Sequence, residues 1–189
     1  MIEVEIRGRL TLARSQELHV TFATSGTVLE TQDREMILLK DVPGYSSNPV
    51  LRVNDVRLRS TNGMCEVMVK TKASADNTAR IEKSYPLTQV TLEEAKELAR
   101  AFGCTTGQWM HRKKTVYAVD GVHWSLVQAP PDIFYFEAEK EVASAEDISI
   151  AEADLRVHAE RLGLEVFTPE QTKDFIAMLG REVNKDIQW

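Results

Sequence analysis

"MIEVEIRGRL", residues 1–10, sets Glu3, Glu5 and Arg7 on every second position with Val4 and Ile6 between them. That is the period of a strand. Side chains two apart return to one face about 7 Å from each other, so Glu3 and Glu5 repel along one face while the apolar pair occupies the other. Such a strand needs compensation from elsewhere. The same spacing recurs in Arg57 and Arg59, Lys70 and Lys72, Arg80 and Glu82, Arg112 and Lys114, and Glu137 and Glu139. Val4, Ile6, Leu58, Ile81 and Ala138 fill the intervening places, with Thr71 and Lys113 as exceptions. Most of these strands therefore have one apolar and one ionic face.

Working outward, "RSQELHVTFATSG" reads as a helix stopped by Gly26, "REMILLKDV" as a strand and "PGYSSNP" as a loop. The runs Leu51–Ser60 and Met64–Ala73 flank "TNG", a hairpin turn signal, and "TARIEKSYPL" follows as a further strand. "TLEEAKELARAFG" predicts a helix with Thr91 as N-cap, Glu94 completing a capping box and Gly103 at its end. "GQWMHRKKTVYAVD", "VHWSLVQA" and "DIFYFEAEKEV" then read as three strands joined by "DG" and "APPD" turns. Two helices, "SIAEADLRVHAERLG" and "TPEQTKDFIAMLGREV", close the chain with Ser or Thr caps, and are expected over the outside or the end of the sheet.

With 189 residues, 43% of them hydrophobic and 28% charged, the chain suits one globular domain, residues 1–189. A net charge of −6 argues against a surface that binds nucleic acid or anionic membrane as a whole, while leaving room for a local basic cavity. The first residues lack the form of a secretion signal and no apolar run approaches a bilayer span, so the expected location is cytoplasmic. Cys65 and Cys104 are too few for a disulfide framework and lie in no metal-binding spacing. His19, His111, His123 and His158 are scattered without zinc spacing. Trp109 and Trp124, within strands, are most simply structural.

Two arrangements satisfy the alternation. In an ordinary one-sided antiparallel sheet the ionic faces meet solvent and the apolar faces pack inward. Signs, however, are segregated by strand, with carboxylates on the first and last strands and cations concentrated between, whereas exposed faces usually mix signs. A sheet closed on itself with the ionic face inside would be a basic channel with a carboxylate patch. Arginine and lysine there suit a polyanion, and paired glutamates suit a hard divalent cation. A triphosphate with magnesium or manganese meets both demands.

These motifs, in this order, resemble the CYTH superfamily, the triphosphate tunnel metalloenzymes. Glu3-Val4-Glu5-Ile6-Arg7 is similar to the family's Glu-x-Glu-x-Lys strand, "VRLRS" to its Arg-x-Arg strand and "MVKTK" to its Lys strand. "ARIEKSYPL" resembles its Arg-x-Glu strand, "HRKKT" its late basic strand and "YFEAEKEV" its closing Glu-x-Glu. The resemblance extends over nearly the whole chain and decides between the two arrangements. It implies an α+β fold: a closed eight-stranded antiparallel β-barrel, or tunnel, with flanking helices. It also implies an enzyme that hydrolyses or cyclises a triphosphate with Mg2+ or Mn2+.

Carried over by position, the resemblance makes Glu3, Glu5, Glu137 and Glu139 metal ligands, with Glu82 and Asp120 completing the carboxylate set. Arg7, Arg57, Arg59, Lys70, Lys72, Arg80, Arg112 and Lys114 become phosphate ligands, and Arg7, Lys70 and Arg112 the catalytic group. Arg7 departs from the family's lysine. It keeps the positive charge but does not give up its proton, which suits phosphate binding and not proton transfer. The expected function is metal-dependent hydrolysis of tripolyphosphate, thiamine triphosphate or a nucleoside triphosphate. Alternatives are an adenylate cyclase forming cyclic AMP and pyrophosphate, and a polyphosphate- or nucleotide-binding module without chemistry. The expected partner is a small triphosphate or nucleotide, with no nucleic acid and no membrane.

Overall fold

The alternation in residues 1–10 does form a strand, β1 (Ile2–Leu10), and its two faces part company in the fold: Val4 and Ile6 are buried among apolar side chains, while Glu3, Glu5 and Arg7 line an internal cavity. The computed structural model describes residues 2–48, 51–73 and 79–189. Along the chain follow α1 (Leu12–Ser25), β2 (Thr27–Leu39), β3 (Asn54–Thr61), β4 (Met64–Lys72), β5 (Ala79–Leu87), α2 (Leu92–Ala101) and β6 (Thr106–Val119). Then come β7 (Val122–Ala129), β8 (Ile133–Val142), α3 (Ile148–Arg161), α4 (Pro169–Glu182) and β9 (Lys185–Gln188). Thr78 of one expected strand and Pro49 of the expected loop lie outside the described residues.

All strand pairings are antiparallel, in the order β2-β3-β4-β5-β1-β8-β7-β6-β9, and β2 also pairs with β6. That last pairing joins the sheet to itself, so eight strands form a ring. The ninth strand, not expected from the sequence, lies against the start of β6, Thr106–Trp109. At four residues, Lys185–Gln188, it is too short to show a clear alternation. β2 also begins earlier than expected, at Thr27, because pairing with β6 from Thr27↔Ala118 onward extends a segment whose polar composition gave no strand signal.

Two hairpins rest on left-handed turn residues. Asn62 (φ 50°) and Gly63 (φ 84°) join β3 to β4, and Asp120 (φ 50°) and Gly121 (φ 73°) join β6 to β7. These are the residue types that tolerate positive φ at little cost. Asn62 also accepts from the Asp33 N–H at 2.8 Å and donates to the Thr31 carbonyl at 2.8 Å, which pins the hairpin tip to β2.

Thr91 and Glu94 make the expected capping box on α2, and Thr168 with Gln171 makes one on α4, with Pro169 inside its first turn. The expected serine or threonine cap on α3 does not form. Its N-cap is Asp147, reached through a short 3-10 turn (Ala145–Asp147), and Asp147 accepts instead from Ser144 Oγ at 2.9 Å.

The main core lies outside the ring, where α1 and α3 cover it. Val4, Ile6, Trp124, Phe136 and Ala138 of the strands pack with Leu18 and Phe22 of α1 and Leu155 of α3. The Trp124 ring lies 5.4 Å from that of Phe22 and 5.9 Å from that of Phe136, so Trp124 is structural as expected. Ile81 breaks the pattern: it lies on the apolar side of its strand but is 38% exposed. Cys65 and Cys104 are both buried free thiols in the cluster beneath α2. No helix among the described residues is long and apolar enough to cross a membrane.

Candidate anion and metal site

Where the apolar residues of a strand pack outward, as Val4, Ile6 and Ala138 do, the ionic residues at the alternate positions converge within the ring. They line a cavity of about 470 Å³. Eleven lysines and arginines meet seven acidic residues there, an excess of cations inside a chain whose net charge is −6. A cation-rich interior under an acidic surface focuses positive potential at the cavity.

Of the residues expected from the sequence, the ring gathers Glu3, Glu5, Glu82, Glu137 and Glu139 with Arg7, Arg57, Arg59, Lys70, Arg80, Arg112 and Lys114. Asp120 is a correction. It is exposed, occupies the left-handed β6–β7 turn and does not line the cavity, so it stands apart from the carboxylates it was expected to join. Lys72, at the last position of β4, does not line the cavity either.

The carboxylates divide by their neighbours. Glu3, Glu5 and Glu139 each present an oxygen within 4.8 Å of the others, and Glu5 lies directly opposite Glu139 in the β1–β8 register. Burial first, then neighbouring glutamates, raise the pKa of Glu5 and of Glu139, against the pull of Arg7 on one and Lys114 on the other. Three hard oxygen donors this close to one another fit a divalent cation.

Glu137 sits differently. Its carboxylate lies 3.2 Å from Lys114 Nζ and 3.8 Å from Arg7 Nη2. Burial opposes its ionisation, but Lys114 and Arg7 more than offset that and pull its pKa down to about 2. Glu137 thus bridges cations and lies outside the three-glutamate cluster. Glu82 pairs with Lys70, whose Nζ is also 3.5 Å from Glu3. Arg7 pairs with Glu5. Burial works against the charge of Arg7, yet Glu5 and Glu137 raise its pKa, so it stays a cation.

Several cavity residues were not anticipated. Arg34 donates to Thr61 Oγ1 at 3.1 Å, and among the described residues no carboxylate oxygen lies within 4 Å of it. Burial and then the neighbouring Arg59 push its pKa down to about 10. A guanidinium keeps its proton at neutral pH even so, and the shift expresses unmet demand for an anion. Arg112, 6% exposed, donates to Asn184 Oδ1 at 2.7 Å, and Asn184 in turn donates to Gln108 Oε1 at 3.1 Å. The turn after α4 therefore holds Arg112.

Asp55, Arg52 and Tyr135 also line the cavity, as do Arg156 of α3 and Lys173 of α4. Asp55 and Tyr135 continue the two-residue steps of Arg57 and Glu137, which is a signal the sequence contained. For Arg156, Lys173 and Asn184 it contained none, since helix packing alone brings them in.

No family model matches the chain, and no curated protein matches it either. Solved structures do. The PH1012 protein of Pyrococcus horikoshii aligns over 91% of this chain and 98% of its own, with a TM-score of 0.71 and 15% identity. HpAC1 of Hippeastrum, an adenylyl cyclase candidate described as having a dominant triphosphatase activity, covers 87% and 89% with a TM-score of 0.55 and 13% identity. A chain in the Schizosaccharomyces pombe Mediator head module covers 88% and 98% with a TM-score of 0.59 and 13% identity. At such identities the likeness is one of fold.

Proposed function

We propose that this protein is a divalent-metal-dependent triphosphatase acting inside a barrel-like tunnel. The observation that carries this reading is the excess of cations over acids in one cavity, next to three glutamate oxygens spaced for a metal ion. The triphosphatase activity described for HpAC1 supports it as an analogy of fold.

Glu3, Glu5 and Glu139 would hold Mg2+ or Mn2+. When bound, the cation supplies Lewis-acid charge to the phosphate oxygens. Arg34, Arg57, Arg59, Arg80 and Arg112 bind the phosphate chain, and their fixed N–H groups offset charge on the phosphoryl oxygens as the terminal bond breaks. Arg7, Lys70 and Lys114 adjoin the three glutamates. Each is paired with a carboxylate, which keeps it in place. Glu137 holds Arg7 and Lys114 in position. None of these cations needs to exchange a proton, so Arg7 at the family's lysine position fits the role.

The second reading is adenylate cyclase, favoured by the naming of HpAC1, in which the same site would hold ATP. A binding module without chemistry is the third, and the Mediator chain shows this fold within an assembly. The deciding experiment offers tripolyphosphate, thiamine triphosphate and nucleoside triphosphates with Mg2+ or Mn2+, and assays phosphate, pyrophosphate and cyclic AMP. Phosphate release supports the triphosphatase. Pyrophosphate with cyclic AMP replaces it with the cyclase, and binding without any product leaves the module.

A further inference from the structure

Three arginines converge on one carboxylate within the ring. Asp55 is 1% exposed; Arg57 reaches it with two parallel bonds, Nε to Oδ1 at 2.6 Å and Nη2 to Oδ2 at 2.8 Å. Arg52 Nη1 lies 3.2 Å from Oδ2, and Arg80 Nη1 lies 3.8 Å from the same oxygen. Arg52 is anchored in turn by the Ser46 carbonyl at 2.9 Å and by the Tyr45 ring, whose centroid lies 5.0 Å from the guanidinium carbon. The cluster carries three positive charges and one negative, so it retains a net positive charge after its internal pairing.

Its donors are also left over. A carboxylate offers about four lone-pair sites and a guanidinium five N–H donors, so one aspartate cannot satisfy three arginines. Arg80 Nη1 is buried and has no hydrogen-bond partner. A buried unsatisfied donor is costly, and it identifies a place where an external acceptor would be welcome. Without Asp55 the three guanidiniums would repel one another out of this arrangement. With it, Arg57 is held in a fixed fork.

We propose that Asp55 is a positioning residue: the site's internal anion, holding Arg57 and Arg80 in place to receive the oxygens of a phosphate chain. This rests on the triphosphate reading above. Asp55 itself binds no substrate, because its oxygens are taken up by arginine.

The test titrates tripolyphosphate into the wild-type protein, Asp55→Asn, Arg57→Gln and the double variant, each first shown to be folded. Asp55→Asn should weaken binding by about tenfold or more, the loss typical of a charged hydrogen bond. Its effect should shrink once Arg57 is already Gln, because the two act through one guanidinium. In turnover, Asp55→Asn should raise KM more than it lowers kcat. Should Asp55→Asn fail to fold, Asp55→Asn/Arg52→Met, which removes a cation with the anion, is compared with Arg52→Met in the same titration. Unchanged or tighter binding on loss of Asp55, or full additivity with Arg57→Gln, overturns the proposal while leaving the triphosphate reading standing. A wild-type protein that does not bind tripolyphosphate overturns both.

Discussion

Glu5 and Glu139 face each other directly across the β1–β8 ladder, two carboxylates in cross-strand register inside the ring. Like charges directly opposite destabilise a sheet. Here burial and the neighbouring glutamates raise both pKa values, so the pair resists full ionisation until a cation joins it.

Metal binding should therefore release protons and strengthen as pH rises. The raised pKa means Glu5 and Glu139 keep protons above the ordinary carboxylate range, and a divalent ion must displace them. Calorimetry with Mn2+ in buffers of different ionisation enthalpy reads the protons released. Glu139→Gln should abolish most of the Mn2+-dependent rise in Tm while raising the Tm of the metal-free protein at neutral pH, at about 2–4 °C per kcal/mol gained. A variant that binds Mn2+ like the parent would remove Glu139 from the metal site.

Glu137 should behave oppositely. Its pKa is depressed to about 2, so its ionised form contributes stability that is present above the unfolded-state value near 4.5 and lost as pH falls toward 2. Glu137→Gln should cost on the order of 3 kcal/mol at neutral pH, with the gap to wild type closing below about pH 4. Urea denaturation at pH 7 and pH 3 makes the comparison. An equal gap at both would show that Lys114 and Arg7 do not stabilise the carboxylate.

Arg34 lacks a carboxylate partner, so removing it should help the empty protein and harm the complex. Arg34→Gln should raise the Tm without ligand, yet weaken tripolyphosphate binding by about 1.5–3 kcal/mol. The wild-type protein itself should gain more Tm from tripolyphosphate than from orthophosphate, with a steep salt dependence. Equal gains from the two anions would argue against an extended phosphate site.

Gly8 should not accept a side chain. A Cβ there would lie 2.0 Å from the Glu165 carbonyl oxygen and 2.6 Å from the Phe136 ring. The Phe167 N–H donates to the Arg7 carbonyl at 2.9 Å beside it, so residues 165–167 press on β1 next to the site. Gly8→Ala should cost about 1–3 kcal/mol of stability as an overpacked position and weaken tripolyphosphate binding through Arg7. Thermal melts and the same titration check both.

The strand alternation by itself determined most of the ring. A period of two is a local property, and Glu3, Glu5, Arg57, Arg59, Lys70, Arg112, Lys114, Glu137 and Glu139 were legible because their charges recur at two-residue steps, with an apolar opposite face on most of these strands. Which face turns inward was not local. It depends on β2 meeting β6 and on helices covering the outer face, and both rest on contacts far apart in sequence. Asp120 was misplaced for a related reason: its place in the order of motifs suggested a ligand, while its own neighbour Gly121 already marked a turn. Arg34 opened an expected strand, but its own face continues in the apolar Met36 and Leu38, so no ionic alternation marked it. Arg156, Lys173 and Asn184 reach the cavity from α3, α4 and the turn beyond, and the physical reason they were invisible is that helix periodicity encodes a buried stripe, not the cavity its rim overlooks.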